Sequence, residues 1–102
     1  MTLPPFDITS LPGEWWEVEA AEAAEQLEQE LMREVPKGHL LHGVTVRAVA
    51  VRHHLKDVVF WLPAVHQWGL VHLTGQVEKD PMWPYTICTP EWDELVDQLA
   101  GD

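Results

Sequence analysis

The sequence predicts an α+β domain in which two helices bracket a three-stranded antiparallel meander, in the order α-β-β-β-α. Three observations predict it. Apolar residues recur every three or four positions between Glu14 and Val35, three strand-like runs lie between Val44 and Thr74, and an amphipathic stretch with a helix-start signal follows Thr89. The chain has 102 residues, 46% of them apolar and six of them tryptophan, which suits one domain with a single shared core.

Residues 1–13, with three prolines, read as an N-terminal arm, and residues 14–102 as the domain. From Glu14 onward Trp16, Ala20, Ala23, Leu27, Leu31 and Val35 fall on one helical stripe, with glutamates opposite, so a helix is expected over 14–35. Pro36 and Gly38 end it, because proline removes a backbone donor and glycine suits the reversal. Residues 44–53 alternate as a strand, with Val44, Val46, Ala48 and Ala50 on one side and Arg47, Val49 and Val51 on the other. Residues 58–62 and 68–74 follow after short connections, which demand antiparallel pairing, since parallel strands need a long crossover. A further short extended piece is expected near 85–88. Thr89, Pro90 and Glu91 then supply a capping hydroxyl, a first-turn proline and an acid at the positive end of the helix dipole. Trp92, Leu95, Val96 and Leu99 give this second helix, 90–100, an apolar stripe. Both helices are expected on one face of the meander, with its other face partly open.

The formal charge is −11, and it is unevenly spread. Residues 1–37 hold nine acids and two bases, residues 38–79 two acids and four bases, and residues 80–102 six acids and no base. Such a field repels phosphate backbones and anionic lipid and steers basic protein surfaces inward. The element order is that of double-stranded RNA-binding domains, but those need clustered Lys and Arg, and the second helix here has none. Nucleic acid is therefore excluded as a partner, as is a membrane, because no apolar run approaches the length of a span. The opening residues lack the pattern of a secretion signal, and Cys88 is the only cysteine, so a reducing cytoplasm is the expected location.

Few residues carry chemistry at a recognisable spacing. Six histidines invite a metal reading, but their spacing matches no ligand motif, and a surface or packing role accounts for them more simply. His72, inside an otherwise apolar strand, and His53 are the two candidates to hold a metal. Cys88, between Ile87 and Thr89, reads as a small core residue rather than a nucleophile. No cofactor is implied. The aromatic and acidic residues give the stronger pattern: adjacent Trp15 and Trp16 cannot share one helix face, Trp61 lies in an alternating strand, and Trp83 sits between two prolines. Trp15, Trp61 and Trp83 are thus candidate partner anchors, and Glu17, Glu22, Glu25 and Glu28 candidate steering charges.

From Leu41 onward the pieces LVHLT (70–74) and DPxWPxT (Asp80, Pro81, Trp83, Pro84, Thr86) resemble a group of small, uncharacterised bacterial proteins. The resemblance brings no activity with it. Its physical meaning is expected to be structural: Pro81 and Pro84 would set a rigid turn from which Trp83 caps the sheet. The function expected from charge and aromatics is a non-catalytic acidic domain that binds a basic protein, as an immunity or toxin-neutralising protein would. The alternative is a small metal-binding or histidine-dependent enzyme, and the open sheet face would also suit a homodimer.

Overall fold

A computed structural model of the protein describes residues 3–52 and 56–100. The elements are β1 (Trp15–Glu17), α1 (Ala21–Glu34), β2 (Arg47–Arg52), β3 (Asp57–Leu62), β4 (Gln67–His72), β5 (Tyr85–Thr89) and α2 (Trp92–Ala100). A 3-10 turn at Ile8–Ser10 precedes them. The class is α+β as predicted, but the sheet has five antiparallel strands in the order β1-β2-β3-β4-β5. The expected meander is its centre. The extended piece near residue 85 pairs with β4, and β1 adds the other edge. No helix among the described residues is long and apolar enough to cross a membrane.

Two expectations are corrected. The first helix begins at Ala21 rather than residue 14, because Trp15, Trp16 and Glu17 pair with Arg52, Val51 and Ala50 of β2. Strand pairing there buries Trp15, which a solvated helix end could not do. The two helices also lie on opposite faces. Leu31 and Val35 of the α1 segment pack with Val58, Phe60 and Val71, whereas Trp92, Leu95 and Leu99 of α2 pack with Val59, Trp61 and Trp68. Consecutive residues of β3 therefore enter different cores, and every residue from Val58 to Leu62 is buried. An uninterrupted apolar strand is what a sheet covered on both faces requires. Burying the fully enclosed Leu31 alone stabilises the α1 side by about 2 kcal/mol.

The alternation expected for residues 44–53 breaks at a β-bulge between Ala48 and Ala50. Val46 and Ala48 face α1, but Val49 and Ala50 both join the α2-side core, since a bulge places two residues opposite one. Beside the bulge the Ala48 N–H donates to Glu28 Oε2 at 2.9 Å, and the Val18 N–H donates to the Val49 carbonyl at 2.8 Å.

The N-terminal arm closes the α2-side core. Phe6 packs on Trp68 and Trp92 with ring centroids 5.4 and 4.9 Å apart, and the Trp92 indole N–H donates to Ser10 Oγ at 3.0 Å. On the α1 side, buried Glu34 accepts from the Thr74 N–H at 2.7 Å and the Gly75 N–H at 2.9 Å. The Thr74 hydroxyl adds a bond to Glu34 Oε1 at 3.2 Å, which gives the threonine of the LVHLT piece a structural role.

Candidate functional site

The register lays one polar row across the end of the sheet. Arg52 pairs with Asp57, Asp57 with His72, and His72 with Tyr85. Side chains of directly paired residues share a face, here the face that carries α2. Asp57 Oδ1 lies 2.6 Å from His72 Nδ1, and Asp57 Oδ2 lies 3.4 Å from Arg52 Nη1. Arg52 Nε in turn donates to Glu14 Oε2 at 3.0 Å. An open cleft of about 470 Å³ lies over this row, with Leu70 and Ile87 as its apolar part and Gln98 of α2 beside it. The Asp57 carboxylate accepts from Nδ1–H, so that Nε2 is the nitrogen of His72 left facing away from it.

His72 is thus brought to a cleft, but beside an aspartate and an arginine rather than further imidazoles. Among the described residues no group of three or more His, Cys, Asp or Glu side chains could hold a metal ion. His53 lies outside the described residues. Cys88 is half-buried, and burial pushes its thiol pKa up, the direction opposite to nucleophile activation. His39, which the sequence reading passed over, is buried: its Nε2 lies 2.7 Å from the Pro84 carbonyl and its Nδ1 accepts from the Leu41 N–H at 3.0 Å. These bonds fix the neutral ring as a pin between the 36–43 loop and the Trp83-Pro84 turn. The signal for it was weak, a histidine directly after a helix-ending Pro-Lys-Gly.

The aromatic candidates divide. Trp15 and Trp61 are 8% and 2% exposed and belong to the α2-side core, so neither is a surface anchor. Trp61 is buried because β3 is central, and Trp15 because β1 turns it inward. Its neighbour Trp16 points to the other face and is 63% exposed. Trp83 is 45% exposed, flanked by exposed Met82 and, beyond Pro84, by Tyr85 at 52%. Trp83 is thus about half covered, and Pro84 is the buried residue of that turn. Glu17, Glu22 and Glu25 are exposed as expected, whereas Glu28 is half-buried and tied to Ala48.

Two aromatic and acidic patches result, one at each edge of the sheet. Trp16 stands with exposed Glu14, Glu17 and Glu19 at the β1 edge. Met82, Trp83 and Tyr85 stand at the β5 edge, in a stretch whose other charged residues, Asp80, Glu91, Asp93, Glu94 and Asp97, are all acidic and exposed. The chain matches no known protein family, and neither a curated protein nor a solved structure is significantly similar to it.

Proposed function

We propose that this chain is a non-catalytic, acidic protein-binding domain whose partner is a basic protein surface, in the manner of an immunity or toxin-neutralising protein. The observation that carries the reading is the exposure of Trp83 and Tyr85 in a segment with no Lys or Arg from residue 80 onward. Large aromatic side chains bury much area at little entropic cost and dominate protein interfaces, while like-signed charge around them steers an opposite surface and rejects others. The exposed Glu17 of β1 and Glu22 and Glu25 of α1 add further negative charge. A reducing, cytoplasmic setting is part of this proposal, supported by the lone free thiol of Cys88.

Affinity capture from a lysate of the native host, at low salt and at about 0.5 M salt, tests it, because screening weakens exposed charge pairing. The expected result is a basic protein released by salt and lost from a Trp83→Ala, Tyr85→Ala variant that remains folded. Capture that ignores both salt and these substitutions overturns the reading.

The 2.6 Å contact of Asp57 with His72 at a cleft favours a second reading, a small histidine-dependent enzyme. An aspartate-oriented imidazole is a general base in many sites. Activity that rises with histidine deprotonation and is lost in His72→Ala would favour it over the binding domain.

A further inference from the structure

β5 is the last strand of the sheet and, among the described residues, pairs with β4 alone. Its five residues, Tyr-Thr-Ile-Cys-Thr, contain no charge and no proline, and the one bulge in the pairing among the described residues lies in β2. Charges, prolines and bulges are the usual means by which an edge strand is kept from pairing with another chain. The opposite edge is both short and charged, since β1 has three residues and the last is exposed Glu17. Pro84 and Pro90 lie on either side of β5 and confine any added pairing to the residues between them.

We propose that β5 accepts a sixth strand, and that the occupant is an extended basic segment of the partner protein. The choice of occupant follows from charge. α2 lies against β4 and β5 and exposes Asp93, Glu94 and Asp97, with Glu91 just before it. A second copy docked on this edge would bring two such base-free segments together, whereas a Lys- or Arg-bearing strand would neutralise one. Register adds a position to the polar row: a residue paired with Tyr85 would follow Arg52, Asp57, His72 and Tyr85 on the cleft face. A long basic side chain there would lie beside the Tyr85 ring, its methylenes towards Ile87 and its charge over the ring at the rim of the cleft. This inference rests on the basic-partner reading and adds the edge and the mode of binding.

The probe is a synthetic peptide of about ten residues alternating lysine and valine, the length of one added strand with overhangs. Its controls are a glutamate–valine counterpart and lysine–valine peptides N-methylated at alternate residues. On the full chain, the lysine–valine peptide is expected to slow amide exchange within residues 85–89. N-methylation along the pairing edge is expected to weaken binding about tenfold or more, and the glutamate peptide not to bind. Binding that leaves β5 exchange unchanged overturns the sixth-strand mode while leaving the basic-partner reading in place. Absence of binding overturns this inference, and salt-insensitive capture of the native partner overturns the reading beneath it. A dimer of the chain with protected β5 amides would put a second copy on the edge and also overturn the proposal.

Discussion

Asp57 holds Nδ1 of His72 at 2.6 Å across the β3–β4 register, in which the two residues are directly paired. The imidazole is half exposed, with 51% of its side chain open to solvent against 15% for Asp57. Solvent weakens the histidine's share of the contact. The carboxylate, more enclosed, also faces Arg52. Asp57→Ala should therefore destabilise the fold by about 2 kcal/mol and His72→Ala by less than about 1 kcal/mol. Urea unfolding of both variants and of the double variant checks this. Equal costs for the two single changes would make His72, not Arg52, the main partner of the carboxylate.

Glu34 is buried, and its two oxygens satisfy the amides of Thr74 and Gly75. Glu34→Ala leaves both donors unsatisfied and should cost about 3 kcal/mol, whereas Glu34→Gln keeps one acceptor and should cost about half as much. Thermal unfolding of the pair decides it. A Glu34→Gln variant as unstable as Glu34→Ala would mean that the negative charge, not the acceptor geometry, carries the effect.

The sequence made the central strands and α2 legible because their signals are local: β-branched runs, short connections, a capping Thr-Pro-Glu. It concealed β1, since Trp15 to Glu17 runs into a stripe of helical spacing that favours the longer element, and only the remote pairing with β2 overrides it. The unbroken DVVFWL run did carry the sign that both faces of the sheet are covered. Taken with two amphipathic helices, it would have placed one on each side. The partition between Trp15 and Trp16 follows from pairing and bulge geometry, neither of which leaves a residue-type signature. The Asp57–His72 contact was hidden for the same reason, because register rather than sequence proximity joins them.

Residues 1–13 form an arm in the sequence, yet Phe6 and Ser10 reach the α2-side core. Removing residues 1–10 should expose Trp68 and Trp92, shift tryptophan emission to longer wavelength and lower the unfolding midpoint. Ser10→Ala leaves the Trp92 ring in place and removes one of the two acceptors of its indole N–H, which should cost about 1 kcal/mol or less. A truncated chain with unchanged emission and midpoint would show that the arm packs without stabilising.

Gly69 lies in β4 opposite Cys88, and a β-carbon built there would meet Leu62 at 3.5 Å, an ordinary contact. A glycine inside a strand keeps more freedom in the unfolded chain than alanine does. Gly69→Ala should consequently be neutral or stabilise by up to about 0.5 kcal/mol. Chemical denaturation with an unchanged slope would confirm it, while a loss above about 1 kcal/mol would mean that Leu62 cannot accommodate the added methyl.

The acid limb of stability should depend on Glu34. Burial, and then the hydrogen bond with Glu30, raises its pKa above the ordinary 4.5, while the Thr74 and Gly75 amides pull the other way without cancelling the rise. A carboxyl with a folded pKa above its unfolded one binds its proton more tightly when folded. Its stabilising contribution is therefore complete below the unfolded value and is lost as pH rises through the raised folded value. Glu30 shifts in the opposite direction, because the Arg33 guanidinium beside it favours its charged form, so its contribution grows with pH over its own lower range. Comparing the native chain with Glu34→Gln at each pH removes most of what the two proteins share. The stability difference should move against the native chain as pH rises from about 4.5 and level off above the raised value. If the difference instead moves in favour of the native chain over that range, the two backbone amides outweigh burial, and Glu34 is held in the fold as a carboxylate.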